Sequence, residues 1–200
     1  MQSNRLIRHL FPSFLTWDIP SEKKELYLTF DDGPVKGKTH KILDILDDFN
    51  IKATFFCVGE NIHKHNDDFL ALLSKKHVIG NHTYNHLNGW KTKKDVYLKN
   101  VDACNKLIES PFFRPPYGRI TPLQAFELKD KYKIIMWSVL TYDFNQKLTP
   151  DTCLKNSIEK TRNGSIVVFH DNIKAEKNLN YTLPRYIEHF LNKDFVFKTL

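Results

Sequence analysis

The segment ELYLTFDDGP, residues 25–34, runs six strand-forming residues into two adjacent carboxylates, Asp31 and Asp32, and then into a Gly-Pro turn. Like charges side by side repel, and many polar residues would have made the turn. The same arrangement, chemistry at the end of an apolar run, recurs along the chain. Strand-length runs are expected at 52–58 (KATFFCV), 77–81 (HVIGN), 112–114 (FFR), 133–137 (KIIMW), 165–169 (SIVVF) and 194–198 (DFVFK). Helical periodicity fills the intervals at 38–49, 66–76, 92–109, 122–130, 151–162 and 181–192, with Thr92 and Thr149 expected as caps. This alternation predicts β/α units around a parallel sheet. His82 then follows the third strand, Arg114 ends the fourth, Asp143 follows the fifth and His170 the sixth. A barrel gathers strand C-termini at one rim, whereas an open sheet spreads them in a row. The fold class expected is therefore α/β, a distorted (β/α)7-type barrel in a single domain over 25–200, preceded by an N-terminal extension over 1–24.

Composition narrows the function classes. The chain has 200 residues, 41% hydrophobic and 26% charged, ordinary values for a globular domain, and no apolar stretch of membrane-spanning length. Its net charge of +7 comes from lysines scattered as in SEKKE (21–25) and KTKKD (91–95), not from one basic block with interleaved aromatics. A solvated basic surface is expected and nucleic acid is not a predicted partner. The N-terminus carries Arg5 and Arg8, but its apolar stretch is short, is broken by Pro12 and lacks a small-residue cleavage site. The expectation is no cleavable signal peptide and a cytoplasmic chain, with action outside the cytoplasm or at a membrane surface left open. Cys57, Cys104 and Cys153 are three and widely spaced, which predicts buried apolar thiols, not a disulfide framework.

HTYNH, residues 82–86, sets two imidazoles four residues apart, a spacing that one helical turn would bring to one face. Two His and one carboxylate form a three-ligand site with open positions, as in a catalytic zinc centre. With one Asp of the pair on the metal, the other is free to act as a base. Two His and a carboxylate also form the facial triad of non-haem iron oxygenases, but those use all-β barrels, which the β/α alternation opposes.

TFDDGP, HTYNH, RPPYG, WSVLTYDF and VVFHD, in that order, resemble the five motifs of the NodB-like polysaccharide deacetylases, carbohydrate esterase family 4, over about 26–197. The resemblance implies metal-dependent hydrolysis of N-acetyl groups on amino sugars of a polysaccharide or oligosaccharide. Carried over, Asp32, His82 and His86 would bind one divalent metal ion, usually Zn2+. Asp31 would be the base, His170 the acid bonded to Asp143, Arg114 the partner of Asp31, and the Tyr117 backbone N–H a donor to the oxyanion. The fourth motif usually has Asp where this chain has Leu140 and Trp where it has Phe144, and the fifth usually has Leu where it has Val168. These departures bear on the pocket for the acetyl group and the sugar. They also leave a second expectation, a catalytically inactive glycan-binding module on the same fold.

Overall fold

The structure, a computed structural model, describes residues 12–200; the expected reading of Arg5 and Arg8 lies outside the described residues. Nine strands are described: β1 (Leu15–Thr16), β2 (Glu25–Asp31), β3 (Thr54–Cys57), β4 (Val78–Asn81), β5 (Phe112–Phe113), β6 (Lys133–Ile135), β7 (Val139–Leu140), β8 (Ser165–His170) and β9 (Val196–Lys198). The helices are α1 (Lys38–Asp48), α2 (Gly59–Lys64), α3 (Asn66–Ser74), α4 (Lys94–Ile108), α5 (Pro122–Leu128), α6 (Pro150–Lys160) and α7 (Glu176–Leu191). All seven expected strands form. Leu15–Thr16 also enters the sheet, so the fold takes in residues assigned above to an N-terminal extension.

The strands pair in the order β1-β6-β5-β4-β3-β2-β8-β7, every ladder parallel, with β9 along the first residues of β2. β6 pairs with β5, while β7, a few residues later, pairs with β8 at the far end of the order. The apolar run at 133–140 therefore belongs to both ends. Residues 136–138 cross between them, with the Met136 amide donating to Thr16 O (2.7 Å) and the Ser138 amide to Ile166 O (3.1 Å). The expected distorted barrel is thus a curled parallel sheet whose ends are joined by the chain itself.

Period-two alternation along β2 sorts its side chains. Leu26, Leu28 and Phe30 pack outward against α1 and α7 residues such as Leu43, Leu46, Leu183 and Tyr186. Tyr27 points the other way, into the barrel, where it meets Phe56, Ile135 and Ile166. Thr29 and Asp31 share the parity of Tyr27, so the first carboxylate enters the barrel interior as a direct result of strand geometry.

Thr149 caps α6 as expected, accepting from the Thr152 amide. Thr92 does not cap α4: Lys93 holds that position, and the Thr92 hydroxyl donates to Asn88 O (2.8 Å). Cys57, Cys104 and Cys153 are free and buried, and burial pushes the Cys104 thiol up to about 12. Among the described residues no helix is long and apolar enough to cross a membrane.

Candidate active site

Asp31 ends β2, its Cα in register with His170 on β8. Its Oδ1 accepts from Arg114 Nη1 at 2.7 Å. Arg114 is fully buried in the barrel. It also donates from Nη1 to Thr29 Oγ1 (2.8 Å), from Nε to Ile135 O (3.2 Å) and from Nη2 to Met136 O (3.0 Å). Its guanidinium carbon lies 4.1 Å from the centre of the Phe56 ring.

Simple alternation would send Asp32 to the opposite side. A left-handed backbone, φ 79°, turns it back toward the rim. The side chain of Asn61 donates to its carbonyl (2.7 Å), and that of Asn172 to its Oδ2 (2.6 Å). Gly33 follows because nothing larger fits: a Cβ there would fall 2.2 Å from Asp171 Oδ2. Asp171 is pushed up to about 7 by burial, against the hydrogen bond from Thr39, and its amide donates to Asp31 O (2.8 Å).

Asp32 Oδ1 lies 3.1 Å from His86 Nε2 and 3.7 Å from His82 Nε2. Ligand atoms of these three residues all fall within 4.8 Å of one another, a donor set that fits a divalent cation. His82 Nδ1 is 2.7 Å from Arg114 O, so its proton sits there and the Nε2 lone pair faces Asp32. Burial lowers His82 to about 4, outweighing the neighbouring Asp31 and Asp32, and leaves it neutral at pH 7 as a ligand must be. Burial opposes ionisation of Asp32, yet the His86 hydrogen bond and the surrounding imidazoles hold it well below the usual carboxylate range. The expected helical turn at 82–86 is not formed. Instead Thr83 (φ 63°) and His86 (φ 54°) adopt left-handed backbones. Asn100 Oδ1 accepts from the amides of Tyr84 (2.8 Å) and Asn85 (3.0 Å), and the imidazole centroids end 5.1 Å apart.

Beside this cluster Asp143 grips His170 twice, accepting from its Nδ1 (2.8 Å) and its backbone amide (2.7 Å). Burial would lower the His170 pKa, but the Asp143 carboxylate outweighs it and raises it to about 9. Tyr117 (φ 61°) lies in the Pro116–Gly118 turn, its hydroxyl 3.1 Å from His86 Nδ1. The residues expected at the site therefore gather at one end of the barrel, with Arg114 buried inside it.

A sequence profile described as polysaccharide deacetylase matches residues 18–131, more than half of the chain. The chain belongs to the polysaccharide deacetylase family. It is 39% identical over 158 residues to a peptidoglycan-N-acetylglucosamine deacetylase of Bacillus cereus, covering 76% of this chain and 57% of that protein. A crystal structure of a peptidoglycan N-acetylglucosamine deacetylase bound to a naphthyl N-hydroxybenzamide superposes with a TM-score of 0.88 at 33% identity, covering 94% of this chain and 91% of that one. A mutant of a family pseudoenzyme with restored enzymatic activity is also similar, with a TM-score of 0.84 at 25% identity over 93% of this chain and 69% of that one.

In this member of the polysaccharide deacetylase family the three motif departures lie on or just after neighbouring strands. Leu140 on β7 and Val168 on β8 are register partners, and the Phe144 ring meets His170 edge-on at 4.7 Å. Asn61, Asn172, Asp171 and Thr29 support the site without having been singled out in the sequence. Asp171 and Asn172 had a signal, since they follow His170 directly, and so did Thr29, two residues before Asp31 on the same strand; Asn61 had none.

Proposed function

We propose that the chain hydrolyses N-acetyl groups from amino sugars of a peptidoglycan- or chitin-like glycan, releasing acetate, with a divalent cation, zinc first, at Asp32, His82 and His86. One observation carries this reading: a paired carboxylate and a paired imidazole, Asp31 and His170, stand in register on neighbouring strands beside three converging ligand groups. A cation held there would supply Lewis-acid polarisation of water and of the acetamide oxygen. Asp31, oriented by Arg114, accepts the proton of the attacking water. The Tyr117 backbone N–H donates to the acetamide oxygen as negative charge develops on it. His170, kept protonated at neutral pH by Asp143, gives its proton to the departing nitrogen, which is a poor leaving group without one.

Purified protein supplied with zinc is expected to release acetate from N-acetylglucosamine oligomers or peptidoglycan, to lose that activity on chelation and to regain it with zinc, as followed by enzymatic acetate assay and metal analysis. Binding of these glycans without acetate release in any divalent metal would instead support the non-catalytic module, the reading raised by the departures at Leu140, Phe144 and Val168.

The pH profile tests the acid. The folded pKa of His170 is raised to about 9, so its proton is present below that value and lost as pH rises through it. In Asp143→Asn the stabilising charge is gone, and the alkaline limb of kcat is expected to move down by about one unit or more. An unmoved limb would remove His170 from the role of acid.

A further inference from the structure

Trp90 is 59% exposed although it stands four residues from His86. Exposed indoles are ordinarily free to change rotamer, but this one is pinned. Its Nε1 donates to Ile120 O (3.1 Å), its backbone amide to Asn88 Oδ1 (3.1 Å), and the Arg119 guanidinium lies 5.2 Å from the ring centre. The segments carrying His86 and Tyr117 are stitched together at this point. The Gly89 amide donates to Arg119 O (3.1 Å), and the buried Gln124 side chain donates to Gly89 O (3.0 Å) and Thr92 O (3.1 Å). A Cβ at position 89 would come 2.4 Å from Arg119 O, so the close approach requires glycine. On the same two segments the Tyr117 ring, also 59% exposed, meets His86 at 4.6 Å. Two exposed rings, those of Trp90 and Tyr117, are thus carried by the pair of joined segments that supplies His86.

A pyranose ring has a face of C–H groups that lies flat on an aromatic ring and an edge of hydroxyls that seeks donors such as Arg119. Holding the indole in place beforehand removes part of the ordering cost of binding. Single rings flanked by Arg119 and the exposed Lys91 suit such a ligand better than a continuous apolar groove would. We propose that Trp90 is the stacking platform for a sugar ring neighbouring the one that is deacetylated, with Arg119 fixing the indole plane. The choice of a glycan rests on the deacetylase reading above.

The test compares wild type, Trp90→Ala and Trp90→Phe on N-acetylglucosamine and its oligomers up to the pentamer, measuring acetate release, and pentamer binding by calorimetry independently of turnover. Trp90→Ala is expected to raise KM for the pentamer about tenfold, with kcat little changed, and to leave KM for a single N-acetylglucosamine, which has no neighbouring ring to stack, almost unmoved. Trp90→Phe should recover most of the loss, and circular dichroism checks that the variants fold. An unchanged KM on the pentamer, or a rise as large on a single N-acetylglucosamine, would overturn the platform. If wild type releases no acetate yet binds the pentamer, and Trp90→Ala weakens that binding about tenfold, the deacetylase reading falls while the platform stands.

Discussion

Asp31→Asn is expected to retain one bound zinc and to lose acetate release by about 10³-fold. The amide keeps an oxygen that can accept from Arg114 Nη1, so the geometry of the strand end survives. What it loses is the capacity to take a proton. Asp32→Asn should behave in the opposite order: Asp32 is the carboxylate of the converging set, and without its charge two neutral imidazoles bind a divalent ion weakly. Metal content measured by mass spectrometry beside kcat separates the two aspartates. Zinc lost from the Asp31 variant but kept by the Asp32 variant would exchange their roles, and wild-type turnover in Asp31→Asn would end the base assignment.

Arg114→Met is expected to be the most damaging single change to stability. It removes a cation that is fully buried and leaves the Asp31 carboxylate, 4% exposed, without its partner. Breaking a buried pair on one side costs about 3–5 kcal/mol. Two carbonyls, of Ile135 and Met136, also lose donors where the chain crosses the gap in the barrel. For a domain of this size the loss should lower Tm by about 10 °C. Lysine should rescue little, because a point charge cannot replace a planar fork that reaches four acceptors. Asp31→Asn in the Arg114→Met background should cost less than in wild type, since the unpaired charge is then removed; additive losses in the double-mutant cycle would show that the pair is not coupled.

Much of the rim was legible because one rule, chemistry at the C-terminal ends of parallel strands, applies to every element independently. Asp31, His82, Arg114, Asp143 and His170 could each be placed from the apolar run before it. The rest was hidden for local reasons. Two-residue strands such as Leu15–Thr16 and Val139–Leu140 are too short to carry a period, and the run at 133–140 gives no sign that its halves pair with opposite neighbours. HTYNH read as a helical turn because spacing alone does not reveal left-handed residues at Thr83 and His86. Asn172 and Asn61 act through single hydrogen bonds to Asp32 across long stretches of chain, and no periodicity marks such contacts.

The register of β2 with β8 places Asp31 directly across from His170. Neighbouring strands lie about 4.8 Å apart whatever their side chains, because that spacing belongs to the peptide ladder. The spacing of the Cα atoms that carry the proposed base and acid is therefore set by the backbone. Side-chain changes on the neighbouring strands, such as those at Leu140 and Val168, leave that gauge in place and alter only what is laid across it.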